Sequence, residues 1–133
     1  MSVEARTRCG VLGSPIEHSL SPNLHRAAYA ALGLDWAYDR FELTAEQLPA
    51  FVAGLDDSWR GLSLTMPLKE AVLGLGEVDP VARRAGGGNT LILDGPRRRV
   101  YNTDVPGLVW AVRRATAVAL PRVTLLGSGA TAR

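Results

Sequence analysis

A chain of 133 residues closes at most one sizeable hydrophobic core, and 47% apolar with 21% charged residues is the make-up of a folded domain rather than a disordered segment. A net charge of +2 is too small to create a strong field over the whole surface, so nucleic acid is not an expected partner, although Arg97, Arg98 and Arg99 could attract an anion locally. The single cysteine, Cys9, cannot form an intrachain disulfide, the N-terminus lacks an apolar leader, and no apolar run nears the roughly 20 residues that cross a bilayer; a cytoplasmic location is expected and a membrane partner is not.

Short runs rich in Val, Leu and Ile alternate with segments of helical period, which predicts an α/β layer structure: a three-layer sandwich with a mixed, mainly parallel sheet flanked by helices. A first strand is expected over Arg8 to Leu12. The first helix should start with Ser21 as cap and Pro22 at its first position, run through Ala30 and stop at Gly33. A strand follows over Trp36 to Phe41, then a second helix capped by Thr44, with Glu46 and Gln47 in its first turn, ending near Gly54. The strand Gly61 to Leu64 leads through Pro67 into a third helix. Thr90 to Leu93 and Arg99 to Asn102 are strands joined by the turn Gly95-Pro96, an antiparallel hairpin. A fourth helix follows Asp104 and carries Leu108, Val109 and Val112 on one face.

After Arg114 the polar face is lost, and Pro121 breaks any helix ahead of a strand at Val123 to Leu126. We therefore expect one domain over 1–114, a linker over 115–121, and the start of a second domain over 122–133. That last segment, VTLL followed by GSGATAR, has the strand, glycine-rich turn and helix start that cradle a dinucleotide pyrophosphate, although the usual third glycine is missing.

Three earlier stretches carry chemistry. In GSPIEHSLSPNLH, Ser19 and Ser21 place two hydroxyls at the amino end of a helix, where free N–H groups and a partial positive charge favour a carboxylate; read alone, Ser21 is a cap and Ser19 a loop residue. His18 and His25 lack acidic or cysteine partners at ligand spacing, so packing roles are expected and no metal. In GLSLTMPLK, the strand ends at Thr65 and Lys69 falls in the first turn of the predicted third helix. A cation there opposes the helix dipole, so stabilising the helix is a poor reason for it and exchange of a proton a better one; read alone, it is a surface lysine. In GGGNT and YNTDVPG, Asn89 and Asn102 are polar residues at opposite ends of the two hairpin strands, and Asp104 stands at a strand-to-helix junction, where it could equally serve as a cap. Polar side chains gathered at such junctions are what a cleft at the edge of an α/β sheet requires.

Taken in order, SPIEHSLSPNLH, SLTMPLK, GGGNT, YNTDVPG and VTLLGSGATAR resemble the signature segments of the shikimate dehydrogenase family, from Gly10 to Arg133. The resemblance implies an amino-terminal domain that binds shikimate, an anionic polyhydroxy carboxylate, and a carboxy-terminal Rossmann domain that holds NADP. Carried over by position, Ser19 and Ser21 would bind the substrate carboxylate, Thr65, Asn89 and Asp104 the ring hydroxyls, and Lys69 with Asp104 would be catalytic. Gly127, Ser128, Gly129, Ala130 and Arg133 would line the cofactor turn. Departures are Arg26 in place of a frequent asparagine, Ser63-Leu64 in place of Asn-Val, and Gly87-Gly88 in place of bulkier residues; the choice between shikimate and quinate stays open, with both serines favouring shikimate.

The implied reaction is NADP-dependent interconversion of shikimate and 3-dehydroshikimate, the chorismate-forming route to aromatic amino acids. The 133 residues would hold little of the cofactor domain, so this chain by itself is expected to be unable to transfer hydride. Apolar surface around the linker makes a homodimer an open option. The rival reading is a non-catalytic module that holds a hydroxy-carboxylate and gives Lys69 no special task.

Overall fold

The computed structural model describes residues 6–116 together with Arg122, Thr124, Leu126 and Gly127. The elements follow in the order β1 (Thr7–Gly13), α1 (Ser21–Ala31), β2 (Trp36–Glu42), α2 (Leu48–Ala53), β3 (Trp59–Leu64), a 3-10 turn (Ala71–Gly74), β4 (Glu77–Val78), α3 (Pro80–Ala85), β5 (Thr90–Asp94), β6 (Arg97–Tyr101) and α4 (Asp104–Ala115). The six strands form one sheet in the order β2-β1-β3-β5-β6-β4. β1 runs parallel to both β2 and β3, β4 runs parallel to β6, and β5 is antiparallel to its two neighbours. The mixed, mainly parallel sheet flanked by helices agrees with the pattern of the sequence.

β1 is buried continuously from Cys9 to Gly13, as a parallel strand covered on both faces must be. Alternate side chains feed two cores. Leu12 packs with Leu48 and Val52 of α2, Leu62 and Leu64 of β3, and Leu91, Leu93 and Val100 of the hairpin. Cys9 and Val11 point the other way, into a smaller cluster with Ile16 and Tyr38, against Tyr29 of α1. The chain leaves β1 toward β2 on one side and reaches β3 on the other; crossovers of one hand running in opposite directions put α1 and α2 on opposite faces. The crevice between β1 and β3 is consequently open at their carboxyl ends.

Register shows one irregularity: Arg8 pairs with Trp59 and the next residue, Cys9, pairs with Gly61, so Arg60 is an extra residue in β3. The bulge lets Trp59 face the same core as Leu62 in spite of their odd spacing, and its ring lies 5.5 Å from Phe41.

Several boundaries differ from the sequence reading. α1 begins at Ser21 itself, with Leu20 at the cap position, so Ser21 is not the cap and Pro22 is the second helical residue. Thr44 does not cap α2. The carboxamide oxygen of Gln47 accepts from the Thr44 N–H at 2.9 Å, closing a turn that delays the helix to Leu48. No helix follows Pro67. The Lys69 carbonyl is taken by the Gly88 N–H at 2.7 Å, which removes the acceptor a helix would offer to residue 73, and only the 3-10 turn forms. The elements β4 and α3 have no counterpart in the sequence reading, yet α3 has ordinary signals: Asp79 caps it by accepting from the Ala82 N–H at 2.7 Å, Pro80 opens it, and Gly86 ends it at φ +66°.

α4 starts at Asp104 as expected and has no buried residue; Leu108 is 55% and Trp110 63% exposed. Residues 117–121, 123 and 125 lie outside the described residues, so most of the expected linker and of the strand Val123 to Leu126 does too. No helix among the described residues is long and apolar enough to cross a membrane.

Leu12 is fully buried where both parallel neighbours and α2 meet. Leu12→Ala is expected to lower stability by about 2–5 kcal/mol, seen as an earlier urea midpoint with an unchanged slope.

Candidate active site

Four chain segments end at the same edge of the sheet. The parallel strands β1 and β3 deliver the loops 14–20 and 65–70 there; because β5 is antiparallel to β3, its entry residue Asn89 lies beside Leu64, and the exit of β6 lies beside Asn89. Backbone hydrogen bonds lock the arrangement: the N–H of Thr65 to the Leu12 carbonyl at 2.9 Å, of Ser14 to Met66 at 3.0 Å, of Leu64 to Asn89 at 2.8 Å, and of Asn89 to Tyr101 at 2.9 Å. The peptides Ser14-Pro15 and Met66-Pro67 in these loops are both cis. Gly13 is glycine because the loops touch: a Cβ there would lie 2.5 Å from Cγ2 of Thr65.

Between these segments opens a cleft of about 520 Å³, and Ser19, Ser21, Thr65, Lys69, Asn89 and Asp104 all line it. Lys69 Nζ lies 2.6 Å from Asp104 Oδ2, with the two side chains 19% and 34% exposed. The amide of Asn89 donates at 2.8 Å to the other carboxylate oxygen, Oδ1 of Asp104, and at 2.8 Å to Thr103 Oγ1. Its carbonyl oxygen accepts from the Thr103 N–H at 3.0 Å. Both oxygens of Asp104 are thus held while each keeps acceptor capacity toward the cleft.

Asn102 supports this cluster from below. Buried to 7% exposure, it donates to the Gly87 carbonyl at 2.8 Å and accepts from the N–H groups of Asp104 and Val105 at 2.9 and 3.1 Å. It therefore does the capping that Asp104 itself was a candidate for, and Asp104 is left to face Lys69. Asn89 and Asn102 come to the same end of the hairpin. The expectation that Lys69 sits in a helical first turn is overturned, since the residue lies in the loop ahead of the 3-10 turn; the opposing dipole has no place at this site, and the charge beside Lys69 is that of Asp104.

At the opposite wall, the N–H of Ser21 donates to Ser19 Oγ at 3.3 Å, so Ser19 holds the first helical N–H of α1. The ring Nδ1 of His25 lies 2.8 Å from the Ser21 carbonyl and must carry the proton, because a carbonyl only accepts. His25 also stacks on Tyr38, with ring centroids 4.0 Å apart. The Tyr38 hydroxyl is 2.7 Å from Ser63 Oγ, and burial pushes its phenol above the usual value, the hydrogen bond to Ser63 pulling the other way. His18, His25, Ser63, Thr90 and Thr103 line the cleft without having been singled out as site residues. For Thr103 the signal was its place between Asn102 and Asp104. For His18 and Thr90 it was their place beside Ser19 and Asn89; for His25 and Ser63 it was none, because their position depends on β3 and α1 sharing a face. Among the described residues no group of three or more His, Cys, Asp or Glu side chains could hold a metal ion.

Of the expected cofactor turn, Ser128, Gly129, Ala130 and Arg133 lie outside the described residues; Gly127 is described, with φ +116°, a conformation open to glycine.

Fold and cleft together define an α/β small-molecule-binding domain with a lysine–carboxylate pair at the carboxyl edge of its sheet. Residues 11–91 match the family model of the shikimate dehydrogenase substrate binding domain, and the chain belongs to that family. It is 40% identical over 125 residues to the shikimate dehydrogenase (NADP(+)) of Natronomonas pharaonis, covering 93% of this chain and 47% of that protein. It is also similar to the crystal structure of Mycobacterium tuberculosis shikimate dehydrogenase, with 47% identity and a TM-score of 0.77 over 80% of this chain and 42% of that one. The Thermus thermophilus enzyme, solved in complex with NADP(H) and shikimate, gives 39% identity and a TM-score of 0.76 over 82% and 42% of the two chains. The chain spans about half the length of the curated relatives it matches.

Asn102→Ala removes the cap of α4 and strands the Gly87 carbonyl. Stability is expected to fall by about 2–4 kcal/mol, measured by chemical denaturation.

Proposed function

We propose that this chain is the substrate-binding part of an NADP-dependent shikimate dehydrogenase, and that its cleft takes shikimate or 3-dehydroshikimate. The observation that carries the reading is the pairing of Lys69 and Asp104 across 35 positions, in one cleft with Ser19 and Ser21. The substrate carboxylate would meet Ser19 and Ser21 at the start of α1, where the helix end favours an anion. Thr65, Asn89 and Asp104 would accept from or donate to the ring hydroxyls. That leaves Lys69 beside the hydroxyl that reacts.

Oxidation of the C3 alcohol removes a hydride from carbon and a proton from oxygen. NADP, when bound, supplies the hydride acceptor. Lys69 takes the hydroxyl proton in that direction and returns one to the carbonyl oxygen in the other, and Asp104, anchored by Asn89, keeps the lysine and the hydroxyl in register. The division into a substrate domain over 1–114, a linker over 115–121 and a nucleotide-binding start at 122–133 is part of the proposal, with Gly127, Ser128, Gly129, Ala130 and Arg133 on the cofactor. A cytoplasmic location goes with it, as does self-association of the whole protein as a homodimer. A module that only holds a hydroxy-carboxylate is the rival, and it leaves the close Lys69–Asp104 pair without a task.

Two measurements test the proposal, and the second separates it from the rival. Titrating the chain with shikimate by calorimetry should show binding that Ser19→Ala weakens about tenfold. When the chain replaces the matching half of the Mycobacterium tuberculosis relative, Lys69→Ala or Asp104→Ala should lower kcat by about 10²–10⁴ with a smaller change in KM. Near-normal turnover by the Lys69→Ala chimera would reject the acid/base role, and no heat from shikimate would reject the substrate.

A further inference from the structure

We infer that Arg40, which is outside the cleft, is a positioning residue that fixes the anion-binding serine Ser19 from behind; the inference rests on the substrate reading just given. Arg40 lies on β2 in register with Val11, a residue of the cleft wall, and shares a strand face with Tyr38, two residues earlier, which packs toward α1. Its guanidinium therefore emerges beneath the start of α1. Two of its donors converge on one acceptor: Nε and Nη2 both donate to the Ser19 carbonyl, at 2.8 and 2.6 Å.

The other side of the same residue is held as well, because the Ser19 N–H donates to the Ile16 carbonyl at 3.0 Å. With both backbone groups tied, side-chain rotation is the main freedom left to Ser19, and its hydroxyl is further occupied by the Ser21 N–H. A carbonyl released from Arg40 could turn its negative end toward an incoming carboxylate. Held by Arg40, it faces the guanidinium, and across the trans peptide the Leu20 N–H points the opposite way. No carboxylate forms an ion pair with Arg40 among the described residues. A lysine at this position could reach the carbonyl with one donor but could not grip it with a planar fork.

The test is a double-mutant cycle on the purified chain, with shikimate as probe in calorimetry, joined to amide hydrogen exchange without ligand. Arg40→Ala should weaken binding about tenfold, Arg40→Lys should recover part of the loss, and in a Ser19→Ala background Arg40→Ala should cost less than about twofold more. An equal loss in both backgrounds would overturn the inference, since Arg40 would then act through its charge alone. Exchange at the amides of Ser19 and Ser21 should quicken about fivefold or more in Arg40→Ala while β1 and β3 keep their protection; unchanged rates at both amides would also overturn it. If the unmodified chain binds no shikimate, the substrate reading falls, and the exchange measurement still decides whether Arg40 holds Ser19.

Discussion

The contact between Lys69 and Asp104 is the constraint on which the site depends. It joins a loop leaving β3 to the first residue of α4, and it forms only because β5 runs antiparallel to β3, so that β6 exits at the edge where β3 does. Were β5 parallel to β3, Asn89 and Asp104 would sit at the far edge of the sheet. A partly exposed pair of this kind adds little to stability. Its worth lies in geometry: Asn89 holds one carboxylate oxygen, Lys69 meets the other, and Asn102 fixes the backbone that carries the carboxylate.

Support for the cleft comes from residues that face away from it. Gly88 illustrates the point. A Cβ there would overlap Cγ1 of Val100, so only glycine lets the chain pass close enough for its N–H to reach the Lys69 carbonyl and for Asn89 to enter β5 in register. On the opposite wall, Arg40 and Ile16 hold the backbone of Ser19 in the same fashion. Both ends of the cleft are thus built from side chains tied down through backbone carbonyls, which is how a site keeps its shape before a ligand arrives.

Much of this was legible in the sequence. The apolar run of β1, the Gly95-Pro96 turn and the first four motif segments located the strands that matter and the residues Ser19, Thr65, Lys69, Asn89 and Asp104 that now share one cleft. Errors fell where a contact the local pattern does not announce took over a backbone group, or where an element was too short to show a period. Pro67 reads as a helix start, yet the hydrogen bond from Gly88 consumes the carbonyl the helix needs, and no local pattern announces a partner 19 positions away. Ser21 reads as a cap, but Ser19 reaches the helix end first. The six-residue α3 was too short to show a period, although its Asp-Pro start and glycine stop were in view. The roles of Arg40, His25 and Ser63 could not be read at all, because they depend on which faces of β2, β3 and α1 come together.

A structure of this chain crystallised with shikimate tests the central claim most directly. The account predicts the carboxylate against Ser19 and Ser21 and a ring hydroxyl within about 3.2 Å of both Lys69 Nζ and the Asp104 carboxylate. A ligand bound with its carboxylate on Lys69, or seated outside this cleft, would contradict it.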